Sequence, residues 1–486
     1  MTGPATGPDA PSGAGDAGTT AALAAELWRA LGGDGELIDR LRWHGPRRLL
    51  PSVFDVGALS AASVAVANLA AAELAAVRAD AGGSAEVASV EVDRRAAAAA
   101  FRSESLLEPI GWERPPIWDP VAGVYEAADG WIRLHTNYAS HRVAALSVLG
   151  VDANREAVRA AVARWPAVEL ETAVVDAGGC AAVLRDRATW RATDAGRAGA
   201  DAPLVERATA AAGRAVDLGR PGLPYAGVRV LDLTRVIAGP VCTRTLAALG
   251  ADVVRIDPPG FEEVGALLAD TTVGKRCAGL DLRDDADRVV FEALVADAHV
   301  VVSGLRPGAL DGLGYGVAEL RRINPSIVTA TLDAWGWSGP WRHRRGFDSL
   351  VQMACGIAAA GAAASGADRP VPLPAQALDH ATGYLLAAAV GRSLVDLVRD
   401  GVVTDTRASL LATADLLFEL PVPGGLDGAG VEWDERDTVA VDTAWGPVRR
   451  CPHPGRIDGV EPRWVRPAGP VARDLARFDP AGSPTA

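Results

Sequence analysis

Lysine is all but missing from this chain: of its 48 basic residues, only Lys275 is not an arginine. With 53 glycines and abundant alanine beside it, that scarcity reads as coding bias rather than function. Cysteine is scarce too. Cys180, Cys242, Cys277, Cys355 and Cys451 are odd in number and form no C-x-x-C pair, which excludes a disulfide framework and a cysteine zinc site. The seven histidines lack metal-ligand spacing and no H-E-x-x-H occurs, so no metal site is expected. A Walker A loop, a G-x-S-x-G elbow and the kinase motifs are absent, and with them the chemistries they carry. The acidic balance, a net charge of −13, argues against nucleic acid as a partner, since such a surface needs clustered basic residues.

Targeting signals are equally thin. Residues 1–20 have neither a basic n-region nor an apolar h-region and read as a disordered tail. Leu350 to Ala367 is uncharged over a length that could cross a bilayer, but its Ala and Gly content fits a buried packing segment better. The expectation is a soluble, cytoplasmic protein with no membrane partner.

What is present falls into blocks. Helical patterns occupy Ala21 to Leu31, Ala58 to Val77 and Arg94 to Phe101, with a turn at Ala81-Gly82-Gly83. G-V-Y-E-A-A-D-G-W-I-R-L-H-T-N (Gly123 to Asn137) is two alternating runs joined by Asp129-Gly130, a strong hairpin signal. Helical patterns resume to about residue 215, and Arg220-Pro221-Gly222 marks a boundary. From Gly227 strands alternate with helices, which predicts an α/β fold with a doubly wound parallel sheet and ligands beyond the carboxyl ends of its strands. The organisation expected is a tail (1–20), a helical segment (21–120), a small α+β domain (121–215), the sheet domain (225–415) and a C-terminal return segment (416–486).

The first βα turn reads T-R-V-I-A-G-P, with Gly239 as its single glycine. Asp257 ends the second strand, where an NAD enzyme has its ribose-binding acid, but without G-x-G-x-x-G the backbone has no close approach to a pyrophosphate. Asp379 stands before an alanine-rich helix that runs to about Arg399. It fits a helix N-cap. It also fits a nucleophile, kept ionised by the helix N-terminus, with Gly383 leaving room for a substrate.

These pieces resemble the family III CoA transferases, the family of formyl-CoA and carnitine CoA transferases and of 2-methylacyl-CoA racemase. The resemblance runs through R-V-L-D-L-T-R-V-I-A-G-P (from Arg229), G-K-R-C-A-G-L-D-L (from Gly274), R-P-G-A-L-D-G-L-G (from Arg306), G-F-D-S-L-V-Q (from Gly346) and A-L-D-H-A-T-G (from Ala377). It implies a Rossmann-like large domain with a second, smaller α+β domain, assembled as an interlocked homodimer. It implies Asp379 as the nucleophile that moves CoA from an acyl-CoA thioester to a carboxylic acid through an aspartyl-CoA intermediate. CoA is then a substrate, with no permanently bound cofactor. The implied CoA-binding residues are Ile237, Ala238, Leu280, Asp281, Leu282, Arg283, Gly304, Leu305, Arg306 and Arg345, whose arginines suit the CoA phosphates. Backbone N–H groups of 356–366 and of Ala381 to Gly383 are the expected oxyanion donors.

Two alternatives stand beside this. One is an acyl-CoA racemase or isomerase, which is disfavoured because Phe347 occupies the position of the racemase histidine. The other is a non-catalytic CoA-ester-binding member, prompted by the departures Gly304 and Gly312. Trp335, Trp337 and Trp341 read as packing before they read as an acyl wall. The order of segments is unusual: the part resembling the small domain precedes the sheet, and R-L-L-P-S-V-F-D (ending at Asp55) echoes V-P-L-P-A-Q-A-L-D (ending at Asp379). A permuted or truncated tandem is expected, with Asp55 structural.

Overall fold

Seven short strands rich in β-branched residues build the main sheet of the computed structural model. They are β1 (Val205–Thr209), β2 (Arg229–Leu233), β3 (Asp252–Asp257), β4 (Lys275–Gly279), β5 (Val300–Ser303), β6 (Val328–Asp333) and β7 (Thr404–Ser409). Their order is β4-β3-β2-β5-β6-β7-β1. All neighbours are parallel except β1, which pairs antiparallel with β7. The parallel ladder is what the alternating pattern predicts. Side chains alternate between two cores: Val300 and Val302 of β5 join one, and Val301 joins the other. The order reverses between β2 and β5, and there a doubly wound sheet opens its crevice.

The structure describes residues 14–79, 85–200, 202–210, 216, 218, 222–421 and 431–480. The turn at Ala81-Gly82-Gly83, Arg220-Pro221 and residues 1–13 of the expected tail lie outside them. A helix, Ala14–Ala30, begins within the expected tail. The segment 21–120 also holds two strands, Leu41–His44 and Val90–Asp93, paired in parallel and joined by Arg456–Ile457 from near the C-terminus. Gly123–Ala127 and Gly130–Leu134 form the expected hairpin, and Ala181–Val183 adds a third strand. Helices Ala139–Leu149, Arg155–Val162 and Ala167–Asp176 cover this small sheet around a core that includes Tyr125, Ile132 and Val158.

Four helices matter for the site: α1 (Val56–Ala79), α2 (Ala238–Ala248), α3 (Asp348–Ala354) and α4 (Ala377–Asp400). α1 and α4 are each 24 residues long and apolar enough to cross a membrane, but both are buried side by side within the protein. Arg392 of α4 pairs with Glu73 of α1, both buried. The Asp55 carboxylate accepts from Ala58 N at 2.8 Å and caps α1, the structural role expected of it. The stretch Leu350 to Ala367 is broken into α3 and Ile357–Ser365 by Gly356, at φ +106°.

Gly383 has a different task from the one expected. A Cβ there would lie 2.4 Å from the Ala238 carbonyl oxygen and 2.8 Å from Val241 Cβ, so this glycine lets α4 touch α2 and leaves no gap for a substrate. Replacing it by alanine must push α2 and its Ala238 terminus away. Such overpacking typically costs about 1–3 kcal/mol, and a Gly383→Ala protein is expected to lose that much in a urea titration.

Candidate active site

The loop after β2 is fixed from below by one buried carboxylate. Asp232 accepts from Thr234 N (2.9 Å), Thr234 Oγ1 (2.5 Å), Thr243 Oγ1 (2.6 Å) and Lys275 Nζ (2.9 Å). Burial pushes its pKa up, but Lys275 and Arg255 outweigh that and hold it below the usual carboxylate range. The chain's one lysine therefore stitches β4 to the β2–α2 turn. Within that turn Val236 is held at φ +65°, a costly conformation for a β-branched residue. α2 then starts at Ala238 behind Ile237, with no side-chain cap, so the N–H groups of Ala238 and Gly239 keep their donors. Asp257 is engaged by Arg255 (2.7 Å) and Arg235 (3.2 Å) at zero exposure, so it has no carboxylate oxygen to offer a ribose.

A cavity of about 400 Å³ opens at the switch point. Arg235 to Gly239 line it after β2, Gly304 to Arg306 after β5, and Leu332 to Ala334 at the end of β6. Arg345, Gly346 and Phe347 close one wall, Asp379 contributes from α4, and Tyr138, Ser140 and His141 reach in from the small α+β unit. The cavity thus gathers Asp379, Ile237, Ala238, Gly304, Leu305, Arg306 and Arg345. It does not gather Leu280, Asp281, Leu282 or Arg283. Leu280 and Leu282 are buried in the second core, while Arg283 clasps Asp281 through two bonds of 2.8 and 2.7 Å at the surface. Among the described residues Arg306 and Arg345 have no carboxylate partner. Burial, then the charge of Arg345, lowers the Arg306 pKa, as two neighbouring guanidinium groups require.

Asp379 is 8% exposed and lies in the first turn of α4. It is not the N-cap: that position is Gln376, which makes no side-chain capping bond. The cap comes from elsewhere in the chain. The Asp348 carboxylate, at the start of α3, accepts from Leu378 N at 2.8 Å and Asp379 N at 3.0 Å, and Gln352 Nε2 donates to its other oxygen. Asp348 therefore takes the N–H groups expected to ionise Asp379. Burial, the Asp348 charge and that of Glu104 push the Asp379 pKa well above the usual carboxylate range, which corrects the expectation of a helix-stabilised anion. His380 points away from Asp379, and its Nε2 lies 3.0 Å from Glu104.

Other expectations fail for geometric reasons. Residues Ile357–Ser365 are helical and do not border the cavity, and Ala381 to Gly383 sit inside α4, so neither group presents an oxyanion donor there. Trp335 packs against Trp190 and Trp341 and is 3% exposed, the packing role expected. Among the described residues, no three His, Cys, Asp or Glu side chains converge to hold a metal.

Residues 225–422 match the sequence profile of CoA-transferase family III. Over those residues the chain is similar to that family. Among its relatives is the acetyl-CoA:oxalate CoA-transferase of Acetobacter aceti, 36% identical over 149 residues, which are 28% of this chain and 38% of the relative. Another is a probable fatty acyl-CoA transferase of Mycobacterium tuberculosis, 31% identical over 207 residues, 40% of this chain and 52% of the relative. A crystal structure of that mycobacterial protein aligns at 30% identity with a TM-score of 0.37, over 41% of this chain and 58% of the other. The chain spans from about a third to half the length of these relatives.

Several residues at the cavity escaped the sequence reading. Asp333 is one. It ends β6, lines the cavity, and accepts from Gly336 N at 2.9 Å. An acid at the carboxyl end of a parallel strand is itself a signal that could have found it. Burial raises its pKa from 3.8 to about 7. A folded-state pKa above the unfolded value means stability present below pH 4 and lost as pH rises toward 7. Asp333→Asn removes that loss. Between pH 5 and pH 8 the native protein should lose about 3 kcal/mol more than the variant in denaturant titrations.

Proposed function

We propose that the chain is an acyl-CoA:carboxylate CoA transferase with Asp379 as its covalent nucleophile. The observation that carries this reading is the buried Asp379 carboxyl facing a switch-point cavity beside two arginines without carboxylate partners among the described residues. An Asp379 oxygen attacks the thioester carbonyl, the C–S bond breaks, and CoA leaves as the thiolate. The thiolate attacks the resulting anhydride at the aspartyl carbon and releases the acyl group as its carboxylate. The acceptor carboxylate then attacks the aspartyl-CoA thioester and expels the thiolate, which attacks the acceptor's carbonyl carbon in the new anhydride, forming the new acyl-CoA and releasing the Asp379 carboxylate. Arg306 and Arg345 supply charge to the CoA phosphates.

The names of the relatives support acetyl and fatty acyl groups as donors and oxalate as an acceptor to try first. The test incubates the protein with acetyl-CoA or palmitoyl-CoA and adds hydroxylamine. Hydroxamate on Asp379, found by peptide mass spectrometry, is the expected result; no adduct from either donor refutes the reading.

A racemase or isomerase is the second reading, and one observation favours it: His141 borders the same cavity although Phe347 cannot exchange a proton. Deuterium entering the acyl α-carbon without acceptor consumption is its signature. The permuted order belongs to the proposal as well. α1 and α4 have equal length, and each is followed by a strand that leads into a capped helix, with Asp93 and Ser409 as the caps.

A further inference from the structure

The nucleophilic step needs hydrogen-bond donors for the oxygen that gains charge; within the family region the start of α2 offers the N–H groups of Ala238 and Gly239, and α4 offers none. Asp348 occupies the N–H groups of Leu378 and Asp379, and Ala381 to Gly383 bond within α4. The wall formed by the small α+β unit lies outside residues 225–422 and carries Tyr138, Ser140 and His141. Tyr138 is committed, since its hydroxyl donates to Glu263 at 2.7 Å.

His141 is placed differently. Its ring is 6% exposed, borders the cavity, and has Nδ1 at 3.5 Å from Cys180 Sγ. Burial pushes the Cys180 thiol up to about 12, so at neutral pH it keeps its proton and can donate it. A thiol that donates to Nδ1 requires that nitrogen to be bare, which leaves the ring proton on Nε2. Burial and the charges of Arg345 and Arg306 pull His141 down to about 4, so the ring is neutral over the physiological range. A neutral imidazole with a fixed Nε2–H is a donor that does not give up its proton.

We propose that His141 is a catalytic residue of this site, its Nε2–H bonding the acyl oxygen of the bound thioester, with Cys180 as the positioning residue that sets its tautomer. The proposal rests on the transferase reading above. As the Asp379 oxygen bonds to the acyl carbon, the C=O electron pair moves onto the oxygen and the His141 bond shortens. When the pair returns, the C–S bond breaks and the thiolate departs. His141 is neither protonated nor deprotonated in the cycle.

The test uses the full chain, acetyl-CoA or palmitoyl-CoA as donor, and oxalate as acceptor. Loss of one oxyanion donor typically lowers kcat about 10²–10³-fold, and that is expected for His141→Phe with KM for the donor little changed. His141→Gln keeps an N–H donor and should recover at least tenfold of the loss, which a packing role would not produce. Cys180→Ala should fall between the native protein and His141→Phe. Equal kcat in native and His141→Phe proteins overturns the proposal. So does recovery by neither Gln nor Asn in variants that melt like the native protein. Deuterium entering the α-carbon in the native protein but not in His141→Phe also overturns it, because His141 is then a base. If Asp379 is never labelled in the native protein, the transferase reading falls and takes this proposal with it; if Asp379 is labelled and His141→Phe turns over normally, only this proposal fails.

Discussion

Asp379→Ala is expected to fold, to retain acyl-CoA binding and to transfer no CoA above background. In the proposed reaction an Asp379 carboxylate oxygen bonds to the acyl carbon, and removing a covalent nucleophile typically lowers kcat by ~10⁴–10⁶-fold. The fold should tolerate the change. Asp379 is not the cap of α4, no side chain among the described residues donates to its carboxylate, and burial disfavours its charge. Alanine therefore removes a group that the folded state holds at a cost, and the melting temperature should stay level or rise near pH 8. Asp379→Asn keeps the shape and should be as inactive as alanine, because an amide nitrogen neither attacks the thioester nor accepts CoA. Turnover in either variant within tenfold of native, with hydroxamate still formed, would move the nucleophile elsewhere. Asp333 would then be the first group to examine, as the other carboxyl on the cavity wall.

The parts of the fold that sequence disclosed are those in which local pattern and burial agree. β2, β3, β5 and β6 are short apolar runs with turn residues on both sides, and periodicity found all four. The Asp129-Gly130 hairpin was equally plain, because its turn chemistry is local. β1 was hidden. Val205–Thr209 carries Glu206 and Arg207, falls in the stretch read as helical to about residue 215, and is instead a strand that pairs with the edge of β7. The site divided along the same line. Asp379, Arg306 and Arg345 sit in motifs that announce themselves, and all three meet at the cavity. His141 and Tyr138 reach that cavity from more than 230 residues before Asp379 in the chain, and nothing near them in sequence says so. Gly383 shows the opposite error. A glycine one turn past a candidate nucleophile suggested room for substrate, while its neighbour in space is the Ala238 carbonyl.

The pairing of Asp348 with α4 was beyond sequence for a related reason. An acid at the start of a helix reads as serving its own helix, yet Asp348 serves the one that carries Asp379. Two substitutions there should separate support from electrostatics. Asp348→Ala leaves the N–H groups of Leu378 and Asp379 and the amide of Gln352 without their acceptor, in a place with no water-exposed surface. Each buried donor left unpaired costs about 1–3 kcal/mol, so a loss of more than 3 kcal/mol and of nearly all turnover is expected, the latter because Asp379 loses its fixed position.

Asp348→Asn keeps an oxygen for the two N–H groups and removes the charge. Its amide then faces the Gln352 amide, donor against donor, which should cost about 1 kcal/mol. The informative change is in the pH profile. Burial, the Asp348 charge and Glu104 all raise the Asp379 pKa, and the nucleophile must be ionised. In the native protein kcat/KM should therefore fall on the acid side of a pKa above the ordinary carboxylate range. Without the charge at 348 that acid limb should move down by about one pH unit or more, yet stop short of an exposed aspartate because burial, the largest cause, remains. An acid limb that stays fixed in Asp348→Asn would mean that Asp379 does not feel its neighbour's charge, and that the group titrating in the profile is another one.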